Sequence, residues 1–175
     1  MLHVEKHYHG SMQATERLTL PFDLRQKSRL RCHLDSGEEV GLLLERGTVL
    51  RGGDLLQADD GRIIAVIAAP ELLSVVASAD ALQLARAAYH LGNRHVALQI
   101  RAAALSFLHD HVLDDMLRGL GLAVRVETLP FEPEGGAYGR HEHAPHNAHV
   151  HSHAHDHADD HANDHEHAHG HHHHH

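Results

Sequence analysis

Asp80-Ala81-Leu82-Gln83-Leu84-Ala85-Arg86-Ala87-Ala88-Tyr89-His90-Leu91-Gly92-Asn93-Arg94-His95 decides the fold of the second half of the chain. Ala81, Leu84, Ala85, Ala88 and Leu91 recur at helical spacing, and Asp80 offers a side-chain oxygen to the first free N–H groups. Gly92 fits the position just past the helix, where a left-handed residue ends it at little cost. A strand is expected next, with Val96, Leu98 and Ile100 on one side and His95, Ala97, Gln99 and Arg101 on the other. Upstream, Leu72 to Ala77 is a short apolar strand. Downstream, Ala104 to Leu108 leads into a helix opened by His109-Asp110-His111, with Val112, Leu113, Met116, Leu117 and Leu120 facing inward. Gly119 and Gly121 stop that helix, and Val124 and Val126 mark a last strand. The order strand, helix, strand, strand, helix, strand is that of a ferredoxin-like split βαβ unit.

From Arg17 to about Ala68 the grammar is different. Leu30, Cys32 and Leu34 alternate with Arg29, Arg31 and His33, the period of a half-buried strand. Val40 to Leu44 and Thr48 to Leu50 read as strands split by Arg46-Gly47. Gly52-Gly53-Asp54 and Asp60-Gly61 punctuate again before Arg62 to Ile67 closes the run. This is a small all-β domain of about five or six strands. Past the hinge Glu134-Gly135-Gly136-Ala137-Tyr138-Gly139, large apolar residues almost vanish, and such a segment cannot offset the entropy of ordering. The fold class expected is α+β: a β-rich N-terminal domain over residues 1–70, a ferredoxin-like βαββαβ domain over 71–135 and a disordered His-rich tail over 136–175. The short linker near Ala68 to Glu71 leaves the orientation of the two domains partly free.

Composition excludes several functions. Aromatics are 3% with no Trp, and the net charge is -9 with histidine neutral, which together disfavour a nucleic-acid partner. The one cysteine, Cys32, rules out an intrachain disulfide and a thiolate-rich zinc site, and its place on the apolar side of a strand makes it a core residue. No segment approaches the ~20 apolar residues of a membrane span. The first residues lack the apolar run of a secretory signal, so a cytoplasmic location is expected. No Gly-rich phosphate loop and no convincing Ser or Cys triad is present, and the chain is not expected to be an enzyme.

Histidine carries the chemistry. There are 25, and 17 of them fall between His141 and His175, recurring as H-x-H at His149, His151, His153, His155 and His157 and again at His165, His167 and His169. Imidazole suits Ni, Zn, Cu and Fe, and Asp156, Asp159, Asp160, Asp164 and Glu166 can add oxygen ligands. A flexible tract of this kind binds several ions with little selectivity. Near pH ~6.5 imidazoles protonate and lose the lone pair a metal needs, so acid should release the load. His165-Glu166-His167-Ala168-His169 matches the zinc-protease pattern H-E-x-x-H, a match expected by chance in so biased a tract. His171 to His175 reads equally as native sequence or as an appended tag.

Elsewhere each histidine has two readings. His95 is either an ordinary exposed residue or a ligand, and a twofold axis would bring two copies of it together. His90 lies on the outer helix face. His109 and His111 flank Asp110 at a helix start, which is either simple N-terminal capping or a pair of ligands kept neutral by the helix dipole. His3, His7 and His9 precede any convincing element.

The sequence closely resembles the UreE family, urease accessory proteins that act as nickel metallochaperones. In the first domain the resemblance rests on Lys27-Ser28-Arg29-Leu30-Arg31, Glu39-Val40-Gly41, Leu44-Glu45-Arg46-Gly47 and Leu50-Arg51-Gly52-Gly53-Asp54-Leu55-Leu56. In the second it rests on Tyr89-His90-Leu91-Gly92-Asn93-Arg94-His95 with Leu98-Gln99-Ile100. It departs at Ala97, where the family is associated with proline. The resemblance implies a homodimer in which His95 of each subunit binds nickel, a second metal-binding pair at His109 and His111, and delivery of Ni(II) to apo-urease in a complex with the urease accessory GTPase. Zn(II) or Cu(II) would compete for the same donors. A general Ni, Zn or Cu buffer without a client enzyme is the alternative.

Overall fold

The computed structural model describes residues 2–135. The N-terminal part builds a six-stranded sheet from β1 (Leu2–His7), β2 (Glu16–Leu20), β3 (Arg29–His33), β4 (Glu39–Leu43), β5 (Leu55–Ala58) and β6 (Ile63–Ala68), in the order β2-β6-β5-β1-β4-β3. A one-turn helix, α1 (Phe22–Arg25), follows β2. Leu18, Val40, Leu42, Leu56, Ile64 and Val66 are fully buried together. At ~1.5–3 kcal/mol for each side chain, this cluster is the main source of stability in the sheet.

Two expectations change here. Leu2–His7 is a strand, and it lies inside the sheet, parallel to β4 and antiparallel to β5. Thr48 to Leu50 is not a strand. Leu50 is buried, but its N–H donates to the Arg25 carbonyl (2.9 Å) and its carbonyl accepts from the Arg25 guanidinium (3.2 Å), so no ladder is needed to satisfy it.

The second sheet holds β7 (Pro70–Ala77), β8 (Gln99–Arg101), β9 (Ala104–Leu108) and β10 (Val124–Pro130), in the order β10-β7-β9-β8. Helices α2 (Ala81–Gly92) and α3 (His111–Gly119) connect β7 to β8 and β9 to β10. Ala87, Leu91 and Leu117 pack with Val76, Leu105 and Phe107 of the sheet in one buried cluster. The strand expected from His95 is only Gln99–Arg101. Val96 and Leu98 do pack inward, but the alternation then breaks, with Gln99 buried and Ile100 half exposed. The Gln99 side-chain oxygen accepts from the Glu132 N–H (3.2 Å), which gives this buried amide its partner. On α3 the inward set is Leu113, Met116 and Leu117, while Val112 and Leu120 face outward and Asp114 is buried.

Only Ala69 separates β6 from β7, and the junction is held on several sides. Phe22 packs against Leu73 and Val75 of the second sheet and against Phe131 just past β10, and its N–H donates to Glu71 (2.9 Å). Arg25, with no exposed side-chain surface, donates to the carbonyls of Leu20, Leu50 and Phe131 and pairs with Glu132 (2.9 Å). The short linker is thus bridged by both an apolar cluster and a buried polar network.

Candidate metal-binding histidines

Helix α2 begins as expected. Asp80 accepts from the N–H groups of Leu82 and Gln83. Its end is different. Gly92 is the last helical residue and does not take the left-handed conformation. Beyond it, the Val96 N–H donates to the Leu91 carbonyl (3.2 Å) and the His95 N–H to the Gly92 carbonyl (2.9 Å). These are the paired bonds of a Schellman motif, and they put His95 at its left-handed position, with φ of 56°. Leu91 and Val96 meet in the same apolar cluster, the hydrophobic contact that accompanies the motif. So His95 stands on an exposed turn and not at a strand start. Non-glycine residues are uncommon in this region of backbone space, and holding one there costs ~1–2 kcal/mol. Arg94 reaches back to the His90 carbonyl (2.9 Å), and the His90 ring meets Tyr89 edge-on.

Helix α3 starts on Asp110, whose carboxylate accepts from Val112 (2.8 Å) and Leu113 (3.3 Å). Capping is thus what Asp110 does. His111 is the first helical residue and is exposed. His109 is tied down more firmly. Its N–H donates to the Leu72 carbonyl (3.0 Å), and its Nδ1 lies 3.0 Å from the Ser74 hydroxyl and 3.4 Å from Oδ2 of Asp114. Serine, histidine and aspartate meet here, but both contacts fall on the same ring nitrogen. No proton path crosses the imidazole, so the set is not a catalytic relay. Ser74 and Asp114 escaped the sequence reading. The available signal was a carboxylate on the inward face of an amphipathic helix, where it needs a partner.

Near the N-terminus, His3 Nδ1 lies 3.3 Å from Asp59 and His7 Nε2 lies 3.3 Å from Asp54, while the rings of His7 and His9 stack 6.2 Å apart. Cys32 is half-buried against the first core, and burial pushes its thiol up from the ordinary range, away from the ligating thiolate. Among the described residues, no three or more His, Cys, Asp or Glu side chains gather into a cluster that could hold a metal ion. No helix there is long and apolar enough to cross a membrane. His149, His151, His153, His155 and His157, the H-E-x-x-H match and the terminal histidines lie outside the described residues.

Comparison with known proteins places both halves. The family described as UreE urease accessory protein, N-terminal domain, matches residues 2–69, and the corresponding C-terminal domain matches 71–158. A urease accessory protein UreE from Alkalilimnicola ehrlichii is 64% identical over 122 residues, 70% of this chain and 75% of the relative. One from Pseudomonas putida (strain GB-1) is 60% identical over 138 residues, 78% of this chain and 82% of the relative. One from Citrobacter koseri is 51% identical over 152 residues, 86% of this chain and the whole of the relative.

Proposed function

The chain belongs to the UreE family of urease accessory proteins, and from that premise we propose that it is a nickel metallochaperone of urease maturation. It is an accessory factor and not itself a catalyst. In this reading His95 of one copy and His95 of a second copy share one Ni(II) ion across a twofold axis. The tail histidines His149, His151, His153, His155 and His157 complete that site or feed it from their own stock, and His109 and His111 form a further pair. The load passes to apo-urease within a cytoplasmic complex that includes the urease accessory GTPase.

The observation that carries the proposal is the backbone of His95. An exposed imidazole is held where glycine is the ordinary choice, and such outliers persist where function requires the side chain. The lack of a three-donor cluster among the described residues agrees with this, because donors must then come from a second copy or from the tail. Leu82, Tyr89, Ile100 and Val112 are exposed apolar residues of the same domain, surface that self-association would cover. What supports a ferredoxin-like reading of that domain is its element order. Zn(II) and Cu(II) suit the same donors, with Cu(II) the tighter by the general order. Preference for nickel therefore comes from availability and from the client.

Equilibrium dialysis with nickel tests the two tiers. A chain ending at Gly139 should lose most ions and keep the shared one, and His95→Ala should do the reverse. Loss of all binding on truncation would overturn the scheme. A urease activation assay at limiting nickel then separates carrier from buffer, because a carrier raises activity and a buffer lowers it.

A further inference from the structure

Asp114 is a buried carboxylate that neither the capping of α3 nor the apolar core explains. Its side chain is 1% exposed, and Oδ1 has no hydrogen-bond partner. Oδ2 faces Nδ1 of His109 at 3.4 Å and the Arg118 guanidinium at 3.6 Å. Ser74, fully buried on β7, places its hydroxyl 3.0 Å from the same ring nitrogen.

We propose that Asp114 is a positioning residue that holds His109 with its proton on Nδ1 and its lone pair on Nε2, presenting Nε2 to a divalent metal ion. This rests on the reading of His109 as a ligand and adds the device that would make it one. An ionised carboxylate only accepts, so a neutral ring meets Oδ2 favourably only with its hydrogen on Nδ1. The other tautomer would set a lone pair against a carboxylate that is almost wholly shielded from water, although the ring itself is 32% exposed. The serine hydroxyl can accept from Nδ1–H or donate to a bare nitrogen, so it does not select by itself. Nε2 makes no hydrogen bond among the described residues. Metal-binding histidines are oriented in this way, with the second ring nitrogen donating to a carboxylate behind it. His3 and His7 also meet carboxylates, but Asp59 and Asp54 are more exposed and also accept backbone N–H groups, Asp59 from His3 and Asp54 from Arg51. Of these three carboxylates among the described residues, Asp114 alone is buried behind its imidazole.

The test uses the full chain. Histidine ring nitrogen–proton correlation at about pH 8, above the ordinary imidazole range, reads the tautomer of His109, assigned by comparison with His109→Gln. Wild type and Ser74→Ala should both carry the Nδ1 proton, and Asp114→Asn should populate the Nε2-protonated form. In parallel, acylation by diethyl pyrocarbonate, located by mass spectrometry during a Ni(II) titration, reads protection at single histidines. Asp114→Asn should need about 10–100-fold more nickel to protect His109, with the curve for His95 unmoved as a check on folding. An Nε2 proton in the wild type overturns the proposal, even if Asp114→Asn fails to fold. So does an unchanged protection curve in Asp114→Asn, or a tautomer that follows Ser74 instead of Asp114. Failure of nickel to protect wild-type His109 at all would withdraw the ligand reading, and the proposal with it.

Discussion

His95 stands at the end of α2 where Gly121 stands at the end of α3. The Leu122 N–H donates to Leu117 (3.1 Å) and the Gly121 N–H to Arg118 (2.9 Å), the same pair of bonds that Val96 and His95 make to Leu91 and Gly92. Both C′ residues are left-handed, with φ of 81° for Gly121 and 56° for His95. One motif closes on the residue that suits it and the other on one that does not.

His95→Gly should therefore stabilise the fold while removing the imidazole. Relief of the ~1–2 kcal/mol left-handed cost, less the ~0.4–1 kcal/mol that glycine adds to unfolded-chain entropy, leaves a gain of roughly 0.5–1 kcal/mol. Urea unfolding without metal measures it. A lower midpoint would mean that the ring makes contacts that stabilise this turn.

Nickel should stabilise the chain ending at Gly139 mainly through the shared site, with a smaller share from His109 and His111. An ion at ~100 times its Kd adds up to ~2.7 kcal/mol per occupied site, and His95→Ala should lose this increment. Thermal unfolding with and without nickel reads the difference. A metal-dependent rise that survives undiminished in His95→Ala would place the main ion elsewhere.

The periodic parts of this fold were legible. The Asp80 cap and the apolar β9 follow from spacing alone, because short-range sterics and one-sided burial set them. The α2 stripe holds only in part: Leu84, Ala88 and Leu91 pack inward, Ala81 and Ala85 are exposed, and the fully buried Ala87 is not in it. What escaped was set by distant partners. Leu2-His3-Val4 alternates for too few residues to announce a strand, and its place between β4 and β5 depends on segments over thirty residues away. Glycine is the usual signal of a helix stop and points to Gly92, whereas Val96 docking on Leu91 sets the register and leaves His95 with the left-handed turn. The motif containing His95 was legible as a family resemblance, and the strain at that residue was not. Ser74 and Asp114 were invisible as a pair, since β7 and α3 meet only in the folded chain.

Arg25 should resist conservative replacement. Its planar fork serves three carbonyls and Glu132 at once, and a lysine ammonium cannot match that geometry. Arg25→Lys leaves buried carbonyls short of donors at ~1–3 kcal/mol each, so a loss of about 3 kcal/mol is expected by urea unfolding. A loss below about 1 kcal/mol would show that the junction between the two sheets rests on Phe22 and Phe131 instead.

Arg62 pairs with Asp60 through Nε (2.7 Å), with both oxygens of Glu38 (2.7 and 2.9 Å) and more loosely with Glu16 (3.3 Å), joining the turns beside β4 and β6. Its side-chain hydrogen bonds to Glu38 hold that carboxyl below the usual range, and Asp60 is lowered by its bonds to the backbone and side chain of Arg62. A carboxylate lowered in the folded state contributes stability above its unfolded pKa of about 4, and that contribution drains away as pH falls through the folded value. The urea midpoint of Arg62→Gln should thus lie below wild type at neutral pH, and the gap should close as the solution is taken below about pH 4. All three carboxylates are partly solvated, so salt should shrink the neutral-pH gap as well. A gap that stays constant down to pH ~2.5 would mean that the arginine acts through its aliphatic packing and not through its charge.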